Sequence, residues 1–310
     1  MAVCSVSTSW RADKIKDAKG LVDAVLETGI TTLELEFRIS PEVMAEIKKH
    51  RASWGVRISS LHAVCPAPSG KGRGAERFAL SDVDEGGRAT GVRDVIATME
   101  NAVELEARAV VVHCGYVEME KDAKYAMMRH FDAGGISGER ARETLRSLLL
   151  ARSARSKRNF GQVLKSLDEI NRRAVSLGIN VGIENRYYLN EFPIFEEFGI
   201  IFNLFEGGRL GYWHDVGHAH TMDALYGIPH EKMLETFSGK LIGVHLHDVK
   251  NGYTDHNEPG CGEVDFDMVK RYLKEDTIRV MELNHRVAPE DARRGVSFLR
   301  GKGIFTPAEA

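Results

Sequence analysis

The chain has 310 residues, 43% of them hydrophobic, with 42 basic against 45 acidic side chains and a net charge of −3. That length buries a sizeable core and fits one (β/α)8 barrel or two ordinary domains. The near-balanced charge gives no global positive field, so nucleic acid is not an expected partner, and no run approaches the roughly eighteen apolar residues that a membrane span requires.

Short β-branched runs alternate with longer amphipathic stretches. Residues 2–7 read as a first strand, followed by a helix with apolar Ile15, Ala18, Val22 and Val25 or Leu26 that stops at Gly29. The cycle continues through strand 31–37 and helix 41–50, strand 56–62 and helix 92–106, then strand 109–114 with a helix over 164–177. It closes with strand 180–184 and helix 193–205, strand 210–215 and helix 219–237, strand 241–247 and helix 266–273, and strand 278–283 with helix 289–299. Eight units in strict alternation predict an α/β fold, one parallel sheet closed into a single (β/α)8 TIM barrel, with residues 1–310 as one domain.

Two long loops are expected on the face where barrel active sites lie. Segment 66–91 follows the third strand and carries the glycine-rich stretch 69–74 and Gly86-Gly87, too glycine-rich for an element and suited to a lid. Segment 116–138 follows the fourth strand, where Tyr116, Tyr125, Phe131, Met119, Met127 and Met128 could wall a pocket or dock the loop onto the rim. Gly70–Gly74 lacks the strand and helix context of a phosphate loop. The basic stretch 140–158 contains leucines 145, 148, 149 and 150 and reads as a solvated helix face with a buried side rather than a polyanion patch. Cys4, Cys65, Cys114 and Cys261 are isolated, and Trp10-Arg11 and Asp13-Lys14 interrupt any early apolar run, so a reduced, cytoplasmic setting is expected.

Chemistry concentrates at the strand ends. His62, His113, Glu184, Asp215, His218, His245, His256 and Glu282 all fall just after β-like runs, and a closed parallel barrel gathers such positions onto one face. His245 and His247 are two apart, so on a strand they share the inward face, with at most one ligating directly. Any one of these histidines alone would more often be structural; carboxylates and histidines on six successive strand ends would otherwise be a rim of unpaired polar groups.

The strings SLHA, VVVHCG, VGIENR, WHDVGHAH, VHLHD, DHNEPGCGEVDF and VMELN together resemble the xylose-isomerase-like TIM-barrel superfamily, which includes sugar isomerases and epimerases, inosose dehydratases and endonuclease IV. The resemblance implies Glu184, Asp215, His245 and Glu282 as the metal site and His218 as a substrate contact. Residues matching His62, His113, His218 and His256 hold additional zinc ions in endonuclease IV, although Thr254 stands where that enzyme has an Asp ligand.

Two carboxylates and one divalent ion suit proton abstraction beside a carbonyl, through an enediolate. Glu184 and Glu282 would flank the carbon as the catalytic pair, one removing the proton and the other returning it. The outcome would be isomerisation or epimerisation of a small sugar or cyclitol. The same intermediate serves a dehydratase or lyase on an inosose or 3-oxo-glycoside, and an abasic-site endonuclease with zinc ions is the reading from another class. For substrate, His62, His113, His218 and His247 could orient hydroxyls, Arg186 or Lys250 could neutralise an oxyanion or phosphate, and Glu36 could hold a hydroxyl. The oxygen-rich ligand set favours Mn²⁺ first, with Mg²⁺ or Co²⁺ alike, whereas recruiting His62, His113 and His256 would favour Zn²⁺ or Fe²⁺. A homo-oligomeric state is left open.

Overall fold

The computed structural model describes residues 3–67, 79–120 and 122–306. Seven strands appear first in chain order: β1 (Cys4–Ser7), β2 (Thr32–Leu35), β3 (Arg57–His62), β4 (Ala109–Val112), β5 (Asn180–Glu184), β6 (Leu210–Asp215) and β7 (Leu241–Leu246). A short antiparallel hairpin of β8 (Asp248–Lys250) and β9 (Thr254–Asn257) follows, then β10 (Ile278–Met281). Strands β1 to β7 and β10 close into a parallel barrel in which β10 pairs with both β1 and β7. Runs such as Val110-Val111-Val112 are fully buried because helices cover the outer face and side chains fill the interior.

The helices are α1 (Ala18–Leu26), α2 (Pro41–His50), α3 (Glu85–Glu104), α4 (Ala123–Asp132), α5 (Glu139–Leu177), α6 (Phe195–Leu204), α7 (Val216–Tyr226), α8 (His230–Phe237), α9 (Phe266–Lys270) and α10 (Pro289–Gly301). Local chemistry sets several of their starts. Asp17 accepts from the Gly20 N–H, and Ser40 caps α2 with Pro41 in its first turn. The helix expected over 219–237 is instead two, because Gly227 takes a left-handed φ of 67° and Pro229 follows. Among the described residues no helix is long and apolar enough to cross a membrane.

Both long loops are shorter than expected. After β3, helix α3 already begins at Glu85, so Gly86 and Gly87 belong to its first turn. Asp84 caps that turn by accepting from the Gly87 N–H at 2.8 Å, and a Cβ on Gly87 would lie 2.2 Å from Asp82 Oδ2. These glycines therefore serve close approach rather than loop flexibility. Residues 68–78 of the segment 66–91 read as a lid, the stretch 69–74 included, lie outside the described residues.

After β4 the expected loop contains the ten-residue helix α4, and α5 runs for 39 residues, joining the helix face expected over 140–158 to the helix expected over 164–177. One stripe unites it: Ala141, Leu145, Leu148, Arg152, Ser156, Val163, Leu167, Ile170 and Ala174 fall at helical spacing and turn inward. Arg152 and Ser156 break the apolar signal in its middle. Arg152 is buried because it makes two 2.8 Å bonds to the Glu197 carboxylate. Leu149 and Leu150, expected on the buried side, are 43% and 64% exposed. Met127, Met128 and Phe131 pack with Tyr187, Tyr188 and Tyr253, so α4 docks on the barrel rim.

Trp213 fills the barrel interior among Ala109, Val111, Ile278 and Val280. Its indole lies against Gly182 on β5 and Gly243 on β7, where a Cβ would come within 2.8 Å and 2.4 Å of the ring. The ring centroid is 5.2 Å from that of His245, so Trp213 floors the site above it.

Candidate metal centre

Register brings distant residues to one point. Strands β5 and β6 end on Glu184 and Asp215, Asp215 pairs with His245 on β7, His245 pairs with Val280 on β10, and Glu282 follows that strand. One ligand atom from each of Glu184, Asp215, His245 and Glu282 lies within 4.8 Å of the other three. His245 Nδ1 stands 2.7 Å from Glu184 Oε1, 3.1 Å from Glu282 Oε2 and 3.8 Å from Asp215 Oδ2. Its Nε2–H donates to Glu34, 3.1 Å and 3.3 Å from the two carboxylate oxygens, and the Ser60 hydroxyl donates to the same carboxylate at 2.8 Å.

Hydrogen-bond partners fix the roles of the ring nitrogens. With Nε2–H committed to Glu34, a neutral His245 turns its Nδ1 lone pair toward three carboxylates. His62 offers Nδ1–H to the Ala63 carbonyl at 3.3 Å and faces Glu184 Oε2 with Nε2 at 3.6 Å. His113 Nε2 abuts the same Glu184 oxygen and lies 3.0 Å from Arg186 Nη1. Imidazole nitrogens and carboxylate oxygens thus face one another at hydrogen-bonding distance, an arrangement that requires a proton or a cation between them. The donor set fits a divalent ion, with Glu184, Asp215, His245 and Glu282 as its holders.

The electrostatics agree. Burial, the largest influence, would protonate Glu184 and Glu282, yet His113 and the hydrogen bonds of His245 and His62 hold Glu184 well below the usual carboxylate range, and His245 and His256 do the same for Glu282. Burial also opposes charge on His245, but Glu282, Glu34 and Glu184 raise its pKa well above the ordinary histidine value, so in the absence of a cation the imidazole itself carries the compensating proton. Burial and then the Arg186 charge push His113 down to about 4.

Three further groups offer ligand atoms within 4.8 Å of one another: two satellites, His62, His113 and Glu184 on one side and His218, Asp255 and His256 on the other, and Asp215, His247 and His256 between the latter and the centre. His218 donates Nδ1–H to the Asn185 carbonyl at 2.9 Å, which leaves Nε2 facing Asp255 Oδ2 at 4.0 Å. His256 adopts φ +57° in β9 and places Nδ1 3.1 Å from Asp255 Oδ1. That kink lets two consecutive residues reach inward, so Asp255 stands where the sequence offered only the exposed Thr254.

The remaining expected residues divide. His247 is buried, accepts the His256 backbone N–H on Nδ1 at 2.9 Å, and therefore donates Nε2–H to Asp215, 3.0 Å and 3.1 Å from its oxygens. It orients a carboxylate rather than presenting a free nitrogen. A Cβ on Gly217 would lie 2.0 Å from His247 Cε1, so the glycine of HDVGH is needed for this contact. Arg186 lies 3.2 Å from both Glu184 and Glu191. Glu36 is buried just after β2 against Arg38 Nη1 at 2.7 Å, and burial, partly offset by Arg38, raises its pKa to about 7. Lys250 is not brought to the cluster: it is exposed on β8 and bonds to the Cys261 side chain.

Three contributors were missed. Glu34 backs His245, and Asp255 faces His256. Asn185 joins β5 to β6, its Oδ1 accepting the Asp215 N–H at 2.8 Å and its Nδ2 donating to the Asp215 carbonyl at 3.0 Å. The alternation Leu33-Glu34-Leu35-Glu36 carried the signal for Glu34, since residues two apart share a strand face.

An uncharacterized protein of Methanocaldococcus jannaschii is 24% identical over 200 residues, 63% of this chain and 61% of that protein's length. Among solved structures, a D-tagatose 3-epimerase-like protein superposes with a TM-score of 0.70 at 22% identity, covering 97% of both chains. The 3-keto-D-glucoside 4-epimerase of E. coli gives 0.67 at 13% identity over 97% of this chain and 100% of that one. An IolI protein with a bound zinc atom gives 0.67 at 15% identity over 98% and 100%. The family model described as a xylose isomerase-like TIM barrel matches residues 22–302, nearly the whole chain, and the chain belongs to that family.

Proposed function

We propose that the protein is a divalent-metal-dependent isomerase or epimerase of a small sugar or cyclitol. The observation that carries this reading is the convergence of Glu184, Asp215 and Glu282 on His245 Nδ1 at the C-terminal mouth of the barrel. An ion held by Glu184, Asp215, His245 and Glu282, Mn²⁺ first by the oxygen-rich donors, would supply Lewis acidity that acidifies a C–H bond beside a substrate carbonyl. Glu184 and Glu282 are the proton-moving groups, each kept ionised and able to accept a proton at a carboxylate oxygen. One takes the proton from carbon and later releases it to solvent, and the other, having drawn a proton from solvent, delivers that one to the opposite face or the adjacent atom. His247 holds Asp215 in place, Arg186 and His218 border the substrate space, and the Tyr187 ring lies tilted with its centroid 4.9 Å from that of His218. The epimerase names of two structural relatives support the substrate class.

The satellite groups favour a second reading. Filling them would recruit four histidines and shift the preferred ion to Zn²⁺, as an abasic-site endonuclease would require. Loss of a β-substituent from the same carbanion would give a dehydratase or lyase on an inosose or 3-oxo-glycoside. One experiment separates them: incubation with Mn²⁺ in deuterated solvent over ketoses, inososes and 3-oxo-glycosides, beside nicking of abasic duplex at low salt. Deuterium entering the carbon of an isomeric product supports the isomerase reading, whereas release of water or an aglycone marks the dehydratase or lyase. Nicking without exchange would replace it.

A further inference from the structure

The end of the barrel opposite the metal centre holds a cavity of about 780 Å³. Among the described residues four guanidinium groups line it, Arg51, Arg57, Arg108 and Arg300, against one carboxylate, Glu106. Arg51 pairs with Glu106 at 2.6 Å, and the Glu106 side chain is 77% exposed. The other three carry no ion pair with a described residue. Arg108 donates to the Asp276 carbonyl at 3.0 Å, and Arg300 donates to the Gly29 carbonyl at 2.8 Å while its Nε is buried without a partner. Arg57 is exposed at the first position of β3.

Packing alone does not call for this set. The N-terminal face of such barrels carries stability rather than chemistry, and like charges gathered in one concavity repel. Helix C-termini carry only partial negative charge. That accounts for Arg51, which caps α2, and Arg300 in the last turn of α10. It does not account for Arg57 and Arg108, which stand at the starts of β3 and β4. Guanidinium forks match phosphate oxygens in pairs. Thr32 and Ser59 add hydroxyls to the lining, Ile30, Ile58 and Leu105 add apolar wall, and the volume falls in the range of small-molecule sites.

We propose that this cavity binds a small phosphorylated metabolite through its phosphate group, as a ligand site separate from the metal centre and independent of the function proposed above. The test uses the full chain as purified, titrated with inorganic phosphate and with pyrophosphate at ionic strength held constant with sodium chloride. Calorimetry and thermal unfolding are read for the wild type, the Arg57→Gln/Arg108→Gln pair and the Arg57→Lys/Arg108→Lys pair. Saturable binding is expected in the wild type, weakened by about tenfold or more in the Gln pair and less in the Lys pair. Should the Gln pair fail to fold, Arg57→Gln alone supplies the comparison, because that exposed side chain has no ion pair to lose among the described residues. An unsaturable response equal to that of chloride would overturn the proposal. So would saturable binding unchanged by the Gln substitutions, since it would locate the anion elsewhere, the metal centre included.

Discussion

Glu34→Gln is the sharpest perturbation of the site that touches no ligand atom. It preserves volume and an acceptor oxygen but removes the charge behind His245 Nε2, whose hydrogen sits between the two Glu34 oxygens at 3.1 Å and 3.3 Å. Glu34, Ser60 and His245 are each 0% exposed, so water cannot take the place of the lost charge. A carboxylate in this position makes the imidazole a stronger donor and fixes its tautomer. Removing such a partner weakens metal binding by about 10–100-fold, which corresponds to about 1.4–2.7 kcal/mol. Competition against a chromophoric chelator, run with Mn²⁺ and with Zn²⁺, measures the change, and thermal unfolding of the metal-free protein checks that the fold persists. Affinity equal to the wild type in a folded variant would refute the reasoning, because His245 could then not be a ligand backed by Glu34.

Four further outcomes are expected. Glu282→Gln should abolish substrate deuterium exchange while leaving the circular dichroism spectrum unchanged, since its side chain is 12% exposed and the amide is isosteric. Gly217→Ala should lower stability by roughly 1–3 kcal/mol and weaken metal binding, because the added Cβ meets the fully buried His247 ring and dislodges its bond to Asp215; an unchanged urea midpoint would contradict this. Arg152→Ala leaves the Glu197 carboxylate without its bidentate partner and should cost about 3–5 kcal/mol in urea unfolding. Glu36 has a pKa raised from 4.5 to about 7, chiefly by burial, so its contribution to stability is complete below pH 4.5 and is lost as pH climbs through 7. Metal-free Glu36→Gln should therefore gain on the wild type over that window, by at most roughly 3 kcal/mol, and a difference flat with pH would count against it.

The fold was legible because it rests on periodicity, which also set eight candidate residues at strand ends; the family resemblance singled out the central four among them. Alternating β and α segments fix which end of every strand faces the site, and the parallel register then brings Glu184, Asp215, His245 and Glu282 together although nearly a hundred residues separate the first from the last. What escaped depended on tertiary partners. The continuity of α5 from the helix face read over 140–158 into the helix read over 164–177 escaped because Arg152, whose burial rests on Glu197, stood in for an apolar residue. Gly86-Gly87 signalled a loop, yet the Asp84 cap outweighs the glycine penalty in a first turn. Asp255 required the positive φ of His256, which no local pattern announced, and Lys250 faced outward once Asp248–Lys250 formed a hairpin strand in place of a continuing barrel strand.

Anomalous diffraction from crystals soaked in Mn²⁺ tests the central claim most directly. A single strong peak about 2.0–2.2 Å from oxygens of Glu184, Asp215 and Glu282 and from His245 Nδ1 is the predicted result. A map with no peak there at saturating Mn²⁺, or with the ion bound away from those four side chains, would contradict it.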